Sequence, residues 1–115
     1  MIIIGEKING AIPSIRQAIA EKDEALIIER TLAQAKAGAD FLDCAPSTAT
    51  EIEYDTMVWL IGLMQGCTDV RLCIDSPNVA LLARILAIYS LVLDFDDLSV
   101  LICIENFCCL IKVCL

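Results

Sequence analysis

Three polar groups follow three aliphatic runs in this chain of 115 residues: Glu6, Lys7 and Asn9 after Ile2-Ile3-Ile4, Asp43 after Phe41-Leu42, and Asp75, Ser76 and Asn78 after Leu72-Cys73-Ile74. Such side chains hold ligands by hydrogen bonding: a carboxylate accepts from paired N–H groups, and an amide both donates and accepts. The sequence contains no histidine, which removes the commonest general base and the usual zinc ligand. Any chemistry must rest on carboxylates, amides, thiols or a group carried by a partner. The seven cysteines (Cys44, Cys67, Cys73, Cys103, Cys108, Cys109 and Cys114) contain no CxxC pair and no framework spacing. Neither a zinc site nor a secreted disulfide scaffold is supported, and no bound metal is expected.

The elements that must position these groups can be read from periodicity. Residues 2–4 are a β-branched run ended by Gly5, a short buried strand. From Pro13 to about Lys22, Ile15, Ala18 and Ile19 recur at helical spacing, with Pro13 suited to the first turn. Asp23 is placed to cap a second helix carrying Leu26, Ile27, Thr31, Leu32 and Ala35, with Gly38 as its stop. Residues 39–44 read as a second strand. Asp55 is expected to cap a third helix bearing Met57, Val58, Leu60, Ile61 and Met64, closed by Gly66. Residues 70–74 make a third strand, and Pro77 opens a helix with Val79, Leu82, Ala83 and Leu86 on its inner face.

Repeated strand–helix alternation with short loops implies a parallel sheet with right-handed crossovers. No GxGxxG or GxxxxGK follows the first strand, so the nucleotide fingerprints of open α/β sheets are missing. Polar residues gather instead at strand carboxyl ends, as they do on the ligand-binding face of a (β/α)8 barrel.

Composition narrows the function. Apolar residues make up 58% and aromatic ones only 5%, the aliphatic profile of buried strands and their covering helices. Eight Lys and Arg stand against sixteen Asp and Glu, net charge −8, with no basic run. Nucleic acid is therefore not an expected partner. Residues 98–115 are strongly apolar, but Glu105, Asn106 and Lys112 interrupt them and they barely reach a membrane span. No membrane association is expected, and a start without a basic region or small-residue cleavage site points to a cytoplasmic location.

Ile3-Ile4-Gly5-Glu6-Lys7-Ile8-Asn9-Gly10, Leu42-Asp43 and Leu72-Cys73-Ile74-Asp75-Ser76, in this order and at these separations, resemble the N-terminal part of pterin-binding methyltransferases. These include the methyltetrahydrofolate:corrinoid protein methyltransferases and the folate domain of cobalamin-dependent methionine synthase. The resemblance covers about residues 1–85. It implies an α/β fold, a partial (β/α)8 TIM barrel of three βα units. Methyltetrahydrofolate would be the substrate, with a methyl group passed to cobalamin on a partner corrinoid protein. By resemblance, Asp75 accepts from the 2-amino and N3–H donors of the pterin. Glu6 and Asn9 line the same pocket, and Asp43, Ser76 and Asn78 lie around it.

The family pattern continues with an Asn on the fourth strand, an acidic residue on a later one and an Asn near N5 on the seventh, none assignable here. A complete barrel takes roughly 250 residues. Residues 1–86 are thus read as the opening of a pterin-binding barrel, and 87–115 as a divergent, irregular, Cys-rich apolar tail from truncation or an out-of-frame stretch. The last thirty residues hold four of the seven cysteines and only five charges. Alternatively, residues 100–104 form a fourth strand and 107–115 a fifth strand or short helix.

Other readings stand beside these. Asp75 can cap the helix opened by Pro77, Glu6 and Lys7 can be a solvated strand end, and Asp43 can brace a loop. Glu51, Glu53 and Asp55 read as a solvated, helix-starting acidic face. Trp59, Met57 and Met64 read as helix packing, and Cys108-Cys109 as apolar filling. A different class of function is a small non-enzymatic α/β module that self-associates through its apolar tail, as a homodimer for instance. A dihydropteroate synthase relative fits less well, because the first strand lacks that family's Asn-Val-Thr-Pro-type loop.

Overall fold

The aliphatic runs become strands and the amphipathic stretches between them become helices. The computed structural model describes the backbone of residues 1–92, 99–104 and 107–112 and the side chains of residues 1–88. Its elements are β1 (Ile4–Gly5), α1 (Pro13–Glu21), α2 (Glu24–Lys36), β2 (Phe41–Cys44), α3 (Thr50–Cys67), β3 (Arg71–Asp75), α4 (Val79–Val92), β4 (Ser99–Ile104) and β5 (Phe107–Lys112). The strands lie side by side in chain order, β1-β2-β3-β4-β5. The first four pair in parallel, and β5 returns antiparallel to β4. The order never reverses, so the described sheet lacks the switch point at which doubly wound folds bind ligands.

The two faces of the sheet differ. Leu42 and Cys44 of β2 and Leu72 and Ile74 of β3 join Ile15, Ile27, Met57, Leu60, Leu82 and Ile85 in one helix-covered core. The alternate residues Phe41 and Cys73 form a smaller cluster with Ile4. Period-two alternation makes this separation inevitable once a single register is chosen, and Leu42 pairs with Leu72 as Asp43 does with Cys73.

Local signals explain most boundaries. Pro13 opens α1, and Asp23 caps α2 by accepting from the Leu26 N–H at 3.1 Å. Gly38 follows α2 at φ +92°. Several expectations shift. β1 is Ile4–Gly5, leaving Met1, Ile2 and Ile3 exposed, because no described strand lies outside β1 to bury them. Helix α3 starts at Thr50 and not at Asp55, which sits exposed inside it, and it runs through Gly66 to Cys67. Leu32 and Val58 are exposed. Among the described side chains of α4, Leu81, Leu82 and Ile85 are buried, while Val79 and Ala83 face solvent. Helix α4 is apolar nearly all round, so periodicity alone cannot select its inner face.

The C-terminal stretch is not irregular in its backbone: residues 99–104 and 107–112 are strands, as their β-branched and aliphatic content favours. A division at Leu86 falls inside α4. The reading of Cys108-Cys109 concerns side chains outside those described. Among the described residues, Cys44, Cys67 and Cys73 form no disulfide, and no helix is long and apolar enough to cross a membrane.

Candidate functional site

Parallel strands in chain order bring the three polar groups to one end of the sheet. Glu6 follows β1, Asp43 is the third residue of β2, and Asp75 ends β3. Asp43 and Asp75 share the sheet face of Phe41 and Cys73, opposite the helices. The three carboxylates feel one another. Burial, then the charges of Asp75 and Glu6, push the Asp43 carboxyl up to about 7, against a smaller opposing pull from hydrogen bonds donated by the Cys73 thiol and the Cys44 backbone N–H. Burial and then Glu6 raise Asp75 as well. Burial first, then Asp43 and Asp75, push the Cys73 thiol up to about 12, so it stays protonated at neutral pH. The Asp43 side chain is 6% exposed and its Oδ1 has no hydrogen-bond partner. Among the described residues, no group of three His, Cys, Asp or Glu side chains has a metal-holding arrangement.

The Gly5–Gly10 segment is shaped by two close approaches. A Cβ on Gly5 would lie 2.6 Å from Gln34 Oε1, the oxygen that accepts the Lys7 N–H at 2.8 Å. A Cβ on Gly10 would meet the Pro46 carbonyl oxygen at 1.9 Å. Glycine at both positions lets the loop after β1 lie against α2 and against the loop after β2. Gly10 N–H donates to Ala45 O at 2.8 Å, and Ala45 N–H donates to Ile8 O at 3.1 Å. Asn9 sits in this seam: its Oδ1 accepts from Ala11 N–H at 2.8 Å and from the Ser47 hydroxyl at 3.2 Å.

Ser76 and Asn78 are placed differently from the carboxylates. The Ser76 hydroxyl is buried and donates to Glu53 Oε1, while its oxygen accepts from Asn78 N–H at 3.0 Å. Asn78 Oδ1 accepts from Leu81 N–H at 3.2 Å. The residue capping α4 is thus Asn78, and Asp75 need not serve that purpose. Asn78 and Glu53 also border an open cleft of about 520 Å³ with Ser47, Thr48, Thr50 and Pro77.

Sequence reasoning missed Glu53 and Gln34. Glu53, read as part of a solvated acidic face, is 5% exposed and braces Ser76. Gln34 is buried beneath Gly5. Its signal was available: a polar residue three positions after Thr31, on the buried stripe of α2.

No family model matches the chain. Against curated proteins, 85 residues, 74% of this chain, are 49% identical to a methylcorrinoid:tetrahydrofolate methyltransferase of Eubacterium limosum. The match covers 31% of that protein, so the chain spans about a third of the length of the relative. The resemblance to folate–corrinoid methyltransferases is borne out. The relative's name makes the corrinoid the methyl donor, the reverse of the direction expected from the sequence.

Proposed function

We propose, for a chain related over 85 residues to the methylcorrinoid:tetrahydrofolate methyltransferases, that these residues are the opening arc of a pterin-binding (β/α)8 barrel. The complete protein would move a methyl group between a tetrahydrofolate and a corrinoid protein, in either direction through one folate site. The observation that carries this reading is the convergence of Glu6, Asp43 and Asp75 at the carboxyl ends of three successive parallel strands, on the sheet face away from the helices. In a (β/α)8 barrel that is the ligand-binding end.

Within this reading each residue has a distinct task. Asp75 accepts from the 2-amino and N3–H donors and fixes the ring's orientation. Asn9 holds the loop after β1 against the loop after β2, which keeps Glu6 beside the pocket. Ser76 and Asn78 set the turn from β3 into α4 and so fix Asp75 in place. The corrinoid carried by the partner supplies the cobalt centre that gives or takes the methyl group. Residues 87–115 are a divergent extension of this arc, a reading supported by the four cysteines and only five charges of the last thirty residues.

An arc of this size holds the pterin-orienting carboxylates without the later strands that would surround N5. Mixed with 5-methyltetrahydrofolate and cob(I)alamin, the 115-residue chain is expected to give no change in corrinoid absorbance, while the full-length relative methylates or demethylates it. Stoichiometric transfer by this chain overturns the fragment reading. Absence of any 5-methyltetrahydrofolate binding in an NMR titration overturns the pterin reading.

One observation favours a second reading. β5 is antiparallel to β4, where a continuing barrel would add a parallel strand. A non-enzymatic α/β interaction module ending its sheet in a hairpin would look like this. A monodisperse species in sedimentation that binds no folate would support it.

A further inference from the structure

The carboxylates at the strand ends are not equivalent. Glu6 is exposed, and Asp75 is half-buried at the last residue of its strand. Asp43 lies deeper, two residues below the level of Asp75, opposite Cys73. Its carboxyl takes hydrogen bonds from the Cys73 thiol and the Cys44 backbone N–H, while its Oδ1 is buried with no partner. A buried carboxylate oxygen without a donor is costly, whereas a protonated carboxyl needs only an acceptor to become satisfied. Among the described residues, the side chains acting on Asp43 are Glu6 from the end of β1 and Cys73 and Asp75 from β3, all acidic or neutral, while Arg71, a cation on this face, lies over the Phe41 ring at its other end. Cys44, next on its own strand, is buried in the helix-covered core, and burial pushes its thiol up.

Resting on the folate reading above, we propose that Asp43 meets the ligand as a neutral carboxylic acid, donating from its unpartnered oxygen to an acceptor of the 2-amino-4-oxo ring. Asp75 takes the ring's donors as an ionised carboxylate. The pair then presents one donor beside two acceptor positions, the complement of a neutral cyclic amide that carries an exocyclic amine and an adjacent oxo group. An ionised Asp43 would turn this donor into a second negative acceptor, facing ring oxygen or nitrogen lone pairs. Burial is the largest cause holding the proton on Asp43, with the Asp75 and Glu6 charges adding to it. The site therefore loses its ligand as that proton leaves.

The test is an NMR titration of the full 115-residue chain, labelled with 13C at the aspartate carboxyls, with and without 5-methyltetrahydrofolate. The free chain is expected to show Asp43 titrating near neutrality. The dissociation constant should rise about tenfold per pH unit once the pH passes the range in which Asp43 ionises. Asp43→Asn keeps a neutral donor of the same shape, so its binding at pH 6 should stay within about threefold of the parent and lose the pH slope. Asp75→Asn should weaken binding tenfold or more at every pH. Binding of the parent chain without a pH slope overturns this inference alone, as does an Asp43 resonance titrating with ordinary carboxylates or an Asp43→Asn variant that fails as badly as Asp75→Asn. No binding by the parent chain at pH 6 overturns the folate reading, and this inference with it.

Discussion

The two faces of the sheet use the same strands for opposite purposes. On one, Leu42, Cys44, Leu72 and Ile74 sit under four helices in a continuous aliphatic core. On the other, Phe41 and Cys73 give way within two residues to Asp43 and Asp75. The first face stabilises the chain. The second carries three mutually repelling carboxylates, a net cost that is rational only if something outside this chain's own packing makes use of them. One strand therefore holds a residue whose truncation should destabilise and a neighbour whose neutralisation should stabilise.

That contrast can be broken at adjacent residues. Leu42→Ala leaves a cavity in the helix-covered core and should cost about 2–5 kcal/mol in urea unfolding. One residue further on, Asp43→Asn should have the opposite sign above neutrality. Because the folded state raises the Asp43 carboxyl from its ordinary value to about 7, its contribution is fully present at low pH and is lost as pH rises through that value. Stability of the parent chain should fall between about pH 4 and pH 7. Asp43→Asn should remove that fall and stabilise by on the order of 3 kcal/mol at pH 8, with little effect near pH 4. Equal destabilisation by both variants at pH 8 would show that the faces do not differ in this way.

The end of the sheet where chemistry gathers was legible because strand ends are marked twice, by an aliphatic run stopping and by a polar residue appearing. Asp43 and Asp75 needed only period-two alternation to be placed on one face. Glu53 was illegible because a carboxylate in a helix's first turn is most often solvated, and its hydrogen-bond partner Ser76 is 23 residues away. Neither the inner face of α4 nor the reversal of β5 could be read. A helix apolar on every side carries no phase, and a run such as Val100-Leu101-Ile102 carries no direction. Gly5 and Gly10 were visible as turn signals, but the close approaches that require them depend on Gln34 and Pro46.

A third variant probes the bracing between the two regions. Glu53→Ala removes the acceptor of the buried Ser76 hydroxyl, whose oxygen also holds the Asn78 N–H at the start of α4. The expected cost is about 1–3 kcal/mol, with faster amide exchange at Asn78 than in the core of α3. Uniform acceleration across all helices would mean that the bracing is global and not confined to this turn.

The smallest effect belongs to the other end of the mixed face. Arg71 lies over the Phe41 ring at 4.5 Å and is itself exposed, so its guanidinium covers an aromatic residue from the solvent side. Removing it should forfeit an exposed cation–π contact and some stem packing, about 0.5–1 kcal/mol. Arg71→Ala therefore measures how much this face contributes to folding away from its carboxylates. A loss as large as that of Leu42→Ala would make Phe41 part of a second core of equal weight, and the division of labour between the faces would fail. A loss under 1 kcal/mol, beside the gain from Asp43→Asn, would leave the mixed face contributing almost nothing to stability in this chain, so that the division of labour between the faces would hold.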